Sequence, residues 1–459
     1  MRHQTKSSWI LRFTDDVASC QADGEAVGEA VIVEIKDWRN LPLRPNHPGV
    51  GDALQRLQAP GATLENLSAG LNEEGRQELF YFLNRLERIR VLEWVVVEQH
   101  EEIATLRSVS ATFHLDYETS KADATVALSR FAYLRRVPGE SKAAPDQALL
   151  ESGGSRARIL LTARGAEVLA GLTAEPKIEG AHAFYELARR SGFAEPVDAE
   201  EPQERMPWEF HDRLFHEITR GCRETDPWGG TYRMKGVIPS PPAVVALPEE
   251  QQIALPPAQQ HDSRPLDRVL AERRSIRNYA EEPIDLQQLS DLLFRVARTT
   301  RKVEADPQSI ITRPYPSGGA IHELQFYLAV WTCKGLERGL YRYIGETHSL
   351  LPCGGSAKQM ERMVALSGAA MGQPEEKPQV LLILTTRHPR MAWKYQAMAY
   401  RATLMNVGVV FQTLYLVATD LGIAACANGS GDSRAFEEAS GLNSWEESAI
   451  GEFALGRAA

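Results

Sequence analysis

The segment from Ile238 to Arg264, IPSPPAVVALPEEQQIALPPAQQHDSR, sets the tightest limit on what this chain can fold into. Each proline removes a backbone donor and fixes φ, so neither a helix nor a central strand can run through the stretch. It is expected to be an extended connector, dividing the 459 residues into two halves. The halves differ in charge. Leu266 to Ala459 holds 21 of the 51 basic and 21 of the 61 acidic residues, so the whole net charge of −10 lies upstream. That acidity argues against wholesale phosphate-backbone binding, which needs a basic stripe, and no nucleic-acid partner is expected.

With 43% hydrophobic and 24% charged residues the chain can bury sizeable cores, and its length implies two or three domains. Cys20, Cys222, Cys333, Cys353 and Cys426 are scattered and form no C-x-x-C pair, which fits free thiols in a reducing compartment. Met1 to Trp9 has no apolar signal-peptide core. Val407 to Cys426 comes nearest to membrane-span length, but Gln412, Thr413, Asp420 and many small residues favour a buried soluble helix running into a strand. A cytoplasmic protein without a membrane partner is expected.

In the first half, Trp9 to Phe13 and Ala30 to Ile35 read as strands. Helices are expected near Val50 to Gln58, Leu64 to Leu71 and Glu73 to Arg88, the last capped by Asn72 with Leu79, Leu83 and Leu86 on one face. A hairpin of Val91 to Val97 and Ile103 to Ser108 follows. Helices and then a two-stranded wing suggest a winged-helix-like domain over 1–110, without the usual basic recognition helix. Arg156 to Leu161, a helix capped by Thr162 and a helix at Ala181 to Ser191 suggest a second such unit over 111–237, ahead of a linker at 238–264. From 265 to 459, helix Asp285 to Ala297, strands Glu323 to Thr332, Gly339 to Tyr343 and Val380 to Thr386, and a long helix Trp393 to Thr419 indicate an α+β core with a mixed sheet.

No G-x-G-x-x-G, G-x-x-x-x-G-K-[ST], H-E-x-x-H or G-x-S-x-G is present, and His211 and His216, five apart, fall on different faces of a helix, so no metal site is expected. Four weak signals remain. Arg273, Arg274, Ser275 and Arg277 can wrap a phosphate with forked donors, although alone they equally fit a solvated helix end. In Arg313-Pro314-Tyr315-Pro316-Ser317-Gly318-Gly319, stiff prolines precede glycines that let backbone N–H groups approach a flat ligand; a plain turn is the alternative. Lys394 and Tyr395 stand at the mouth of the long apolar helix, placed for proton transfer or simply snorkelling. Arg457 closes a terminal G-x-x-x-x-G-R.

Taken in order with GLYRY, WKYQAMAYR and the spacing of Gly408, Gln412, Leu416, Ala418 and Gly422, these motifs resemble one family from about Ser263 to Ala459. It is the SagB-type or McbC-like flavin dehydrogenases of the nitroreductase fold, azoline oxidases that mature thiazole- and oxazole-containing ribosomal peptides. WEFHDRLFHEITRG and DPWGGTYRMKG resemble the segment ahead of the flavin domain in longer members, whose N-terminal halves are peptide clamps. His322-Glu323 departs from the pattern, where the family often has a proline.

The resemblance implies an FMN-dependent oxidase, homodimeric, acting on an azoline-containing precursor peptide with a cyclodehydratase as a possible partner. It implies Lys394 as general base with Tyr395 assisting, and Arg273, Arg274, Ser275, Arg277 and Arg457 on the FMN phosphate. Pro316, Ser317, Gly318 and Gly319 would lie against the isoalloxazine from the partner subunit, and Gln412 would touch the flavin. Two other functions stay open: an NAD(P)H-dependent nitro- or quinone reductase, and an inactive leader-peptide binding module.

Overall fold

A computed structural model describes residues 8–23, 30–38, 40–98, 100–115, 126–138, 147–170 and 181–459. The chain divides into two compact units, Met1–Asp226 and Pro227–Ala459.

The first unit runs β1 (Ser8–Phe13), β2 (Val17–Ala22), β3 (Val31–Ile35), β4 (Leu41–Leu43), α1 (Val50–Gln55), α2 (Leu64–Ser68), α3 (Glu73–Arg88), β5 (Leu92–Glu98) and β6 (Glu101–Ser108). It continues with β7 (Val126–Leu128), β8 (Ala132–Val137), β9 (Gln147–Ser152), β10 (Ala157–Leu161), α4 (Ala163–Ala170), α5 (Ala181–Arg190), β11 (Ala194–Pro196) and α6 (Phe210–Thr219). Asn72 caps α3 as expected, its Oδ1 accepting the Gly75 N–H at 2.8 Å. The β5–β6 hairpin forms too. It does not close off a separate domain, however: one antiparallel sheet of order β1-β5-β6-β10-β9-β8 runs through both segments read as winged-helix-like units. Leu150, Ile159 and Leu161 are buried with Leu11, Trp94 and Leu106 in a single core, which joins the two segments.

The second unit holds β12 (Ile253–Ala254), α7 (Leu266–Glu272), α8 (Leu286–Ala297), β13 (Arg301–Val303), β14 (Ile310–Thr312), β15 (Leu324–Val330), β16 (Gly339–Ile344), β17 (Ser349–Pro352) and α9 (Ala357–Ala370). Then come β18 (Val380–Thr386), α10 (His388–Lys394), α11 (Ala399–Leu421), β19 (Ile423–Asn428), α12 (Ser433–Ser440) and β20 (Ser448–Arg457). Among the described residues the main sheet has the order β12-β17-β16-β15-β18-β20-β19. Every neighbouring pair in it is antiparallel, which corrects the mixed sheet expected here. β15, β16 and β17 form a meander, and α9 returns the chain to the free edge of β15 in the opposite sense.

Strand residues alternate between two apolar layers, as a period of two requires. Phe326, Leu328, Leu382, Leu384 and Phe453 meet α8 and α11, while Tyr327, Ala329, Leu381, Ile383 and Ala454 meet α9 and α12. β18, apolar up to its last two threonines, is buried on both faces.

The proline-rich segment 238–264 belongs to this second unit and is not a free linker. Prolines lack a donor but keep their carbonyls, and the unit uses those acceptors. Arg390 donates to Pro241 O, Arg387 to Pro242 O, Ser290 to Pro256 O and Gln287 to Pro257 O.

Candidate functional site

The helix expected over 393–419 is two helices. α10 ends at Lys394, Tyr395 is extended, and Ala397 takes φ +60° before α11 begins. The apolar period is continuous across this break, so it is imposed from elsewhere: Gln396 exchanges backbone hydrogen bonds with Gly229 at 2.8 and 3.2 Å. α10 is anchored by Arg390. Its buried guanidinium donates to Ile321 O, Pro241 O and Ser309 O at 2.9, 2.7 and 2.5 Å, and loss of water pulls it down to about 10. Carbonyl dipoles, with the charge of Glu323 nearby, compensate that charge and tie α10 to the chain just after the glycine turn.

In that turn Gly319 has φ +60°, and a Cβ there would stand 2.7 Å from Lys394 Nζ and closer still to Tyr395 Oη. The structure thus brings the Lys394-Tyr395 pair and the Pro316-Ser317-Gly318-Gly319 turn to one point within a single chain. Sequence reasoning missed what holds the turn. Asn406, buried on α11, accepts the Gly318 N–H at 3.0 Å and donates through Nδ2 to Ser317 Oγ at 3.1 Å and Glu323 Oε1 at 2.9 Å. An asparagine inside a helix of apolar residues is poorly placed by propensity and was the available signal. Glu323 is completely buried, and His322, at φ +46°, adopts a backbone closed to proline. Burial first, then the charges of Arg313 and Arg390, lower the His322 imidazole to about 4, so it is neutral near pH 7. Its edge packs on the buried Tyr315 ring at 5.2 Å.

The arginine motif follows α7. Arg273 lies over the Tyr415 ring at 5.2 Å, and Ser275 Oγ is 2.8 Å from Tyr415 Oη. Ile276 N–H donates to Ala425 O, which lays the motif along β19. Arg274 and Arg277 are exposed, and their guanidiniums make no hydrogen bond or ion pair among the described residues. The Arg457 carbonyl accepts the Ala280 N–H at 3.0 Å, just past the motif, and its guanidinium ion-pairs with Glu282 and, at 3.9 Å, with Asp285.

Asn406, which holds the glycine turn, and Tyr415, which holds the arginine motif, are nine residues apart on α11. That is about two and a half turns, which places them on opposite sides of the helix. Leu404, Met405, Gly408 and Gln412 are exposed on α11, and Gln412 makes no hydrogen bond among the described residues. A cavity of about 240 Å³ opens beside Tyr400 and Leu404, lined by residues 428–431 and by Glu452. Desolvation pushes the Glu452 carboxyl up to about 7.

The unpaired arginines and a glycine cradle that a side chain would fill suit a phosphate-bearing flat cofactor such as FMN.

The nitroreductase family profile matches residues 270–457, and that of the cyanobactin oxidase ThcOx matches 126–225. A putative nitroreductase of Methanocaldococcus jannaschii is 32% identical over 165 residues, 36% of this chain and 78% of that protein. The microcin B17-processing protein McbC of Escherichia coli is 30% identical over 128 residues, 26% of this chain. The match spans 44% of McbC. The solved Escherichia coli microcin synthetase McbBCD complex with truncated pro-MccB17 has a chain 17% identical at a TM-score of 0.35, covering 53% of this chain and 94% of that one.

Proposed function

The chain belongs to the nitroreductase family and is an oxidoreductase, and on that premise we propose that it is an FMN-dependent azoline oxidase, converting thiazoline or oxazoline rings in a ribosomally made peptide to thiazole or oxazole. The observation that carries this reading is the convergence of Lys394, Tyr395 and the Gly318-Gly319 turn at one point. A reductase of nitro groups needs a flavin and a reductant; abstraction of a ring proton also needs a fixed base.

Azoline oxidation removes two hydrogens. One ring carbon gives up a proton, its neighbour gives up a hydride, and the bond between them becomes double. FMN, when bound, would supply the hydride acceptor, with O₂ as the terminal oxidant. Lys394 takes the proton at Nζ, with Tyr395 Oη beside it, a contribution typically worth about 10²–10⁴-fold. Gly318 and Gly319 admit the ring system closely because they have no side chain. Arg273, Arg274, Ser275 and Arg277 hold the phosphate, for which guanidinium forks are the best-matched donors.

The site is proposed to be shared between two subunits. The turn and the arginines lie on opposite sides of one α11, so one cofactor reaches both most simply when each comes from a different copy. The exposed residues Leu404, Met405 and Gly408 supply an apolar, close-approach surface for that contact. The first unit is proposed to clamp the precursor peptide, with a cyclodehydratase supplying its azolines. Support comes from the ThcOx match, which falls in the first unit and not in the catalytic one.

The test is to incubate purified, yellow protein with an azoline peptide and no NAD(P)H. Loss of two hydrogens per ring by mass spectrometry is expected. A protein inert toward the peptide that reduces nitroaromatics with NAD(P)H would replace this reading with the reductase.

A further inference from the structure

Residues 226–269 lie between the two family matches and inside neither. Part of this stretch is nevertheless built into the candidate site. Gly229 pairs with Gln396 through both backbone hydrogen bonds, and Thr231 Oγ1 donates to Gln396 Oε1 at 3.1 Å. Tyr232 N–H donates to Lys394 O at 3.1 Å. The Tyr232 ring packs edge-on against Trp393 at 5.9 Å, and Trp393 Nε1 donates back to Ile238 O at 3.0 Å.

Lys394 Nζ lies 5.8 Å from the centre of the Tyr232 ring and 5.2 Å from that of Tyr395. Both are within the reach at which a ring face attracts an ammonium. Tyr232 itself has φ +52°. For a bulky residue that is an uncommon conformation, which persists only where the surroundings enforce it. Its hydroxyl makes no hydrogen bond among the described residues, so the ring and the backbone N–H are the parts in use.

Resting on the reading of Lys394 as the base, we propose that Tyr232 is a positioning residue for it. The Tyr232 N–H fixes the main chain where α10 stops, and the ring holds the four-carbon lysine side chain so that Nζ stays beside Gly319. A lysine at a helix end is otherwise free among several rotamers. The segment ahead of the matched family domain therefore completes the catalytic site of this chain.

Tyr232→Leu should keep the flavin content and thermal midpoint of the parent while kcat falls by about ten-fold or more and KM stays within about two-fold. Tyr232→Phe keeps the ring and should recover kcat to within about three-fold of the parent. In flavin-free protein, Lys394 should be modified by trinitrobenzenesulfonate several-fold faster in Tyr232→Leu than in the parent, as followed by peptide mass spectrometry. In a Lys394→Ala background, Tyr232→Leu should add no further loss of residual activity. If Lys394→Ala alone left the rate intact, the reading of Lys394 as base would fall and this proposal with it. If Lys394→Ala is crippled but Tyr232→Leu matches the parent, or lowers the rate equally in both backgrounds, the positioning role alone falls.

Discussion

Lys394 Nζ and Gly319 face each other so closely that a β-carbon on the glycine would stand 2.7 Å from the amine. Gly319→Ala therefore meets two obstacles: the left-handed backbone at φ +60°, which costs an alanine about 1 kcal/mol, and the displacement of both Lys394 and Tyr395. The variant should fold, and its azoline oxidation should slow by about 10²-fold, the scale on which an ångström of misplacement acts. A parent-like rate, with folding confirmed by thermal melting, would show that the pair does not work at this point.

Asn406 spends both ends of its amide on the turn and on Glu323. Asn406→Leu leaves the buried Glu323 carboxyl without its shortest hydrogen bond, and orphaning a buried carboxyl costs about 3 kcal/mol. For a unit of this size that is a fall in Tm of about 10 °C. Adding Glu323→Met should return more than half of the loss, because apolar replacement of both partners removes the orphan. A double variant no more stable than the single one would count against this account.

What could be read from the sequence was what is local. Val380–Thr386 matches the predicted strand residue for residue, and Asn72 caps α3 where its side chain predicted. Lys394 and Tyr395 also meet Gly319 within one chain, a juxtaposition the separate motifs did not specify. What escaped the sequence is set by partners far along the chain. The break at Tyr395 is imposed by Gly229, Arg457 is taken up by Glu282 and Asp285, and the prolines of 238–264 are bound through carbonyls that no pattern of side chains reveals. The single sheet of the first unit likewise depends on β6 pairing with β10, a contact without local signal.

The two ends of the expected phosphate site now make different predictions. Arg274 is exposed and unpaired among the described residues, so Arg274→Ala should be isolated with little bound flavin, read as the ratio of visible to protein absorbance. Arg457 is occupied by Glu282 and Asp285, so Arg457→Ala should retain flavin and lose at most about 1 kcal/mol of stability, as for a part-exposed pair. Flavin loss in Arg457→Ala with full retention in Arg274→Ala would invert the assignment.

Glu452 gives the second unit a dependence on pH. Desolvation dominates its raised value of about 7, with the charge of Asp432 adding to it and hydrogen bonds from Asn428 and the Asp432 backbone opposing. A carboxyl whose folded value lies above its unfolded one contributes stability that is whole below about pH 4.5 and is lost as pH rises through about 7. The full effect is about 3 kcal/mol. His322 acts in the other direction: its lowered value means stability present above about pH 6.5 and lost as pH falls toward 4. The parent curve mixes the two, and the difference between parent and Glu452→Gln isolates the carboxyl. Urea unfolding at pH 5 and pH 8 should show the parent losing up to about 3 kcal/mol more than Glu452→Gln across that interval. Parallel curves would mean that Glu452 is as well hydrated in the folded protein as in the unfolded chain.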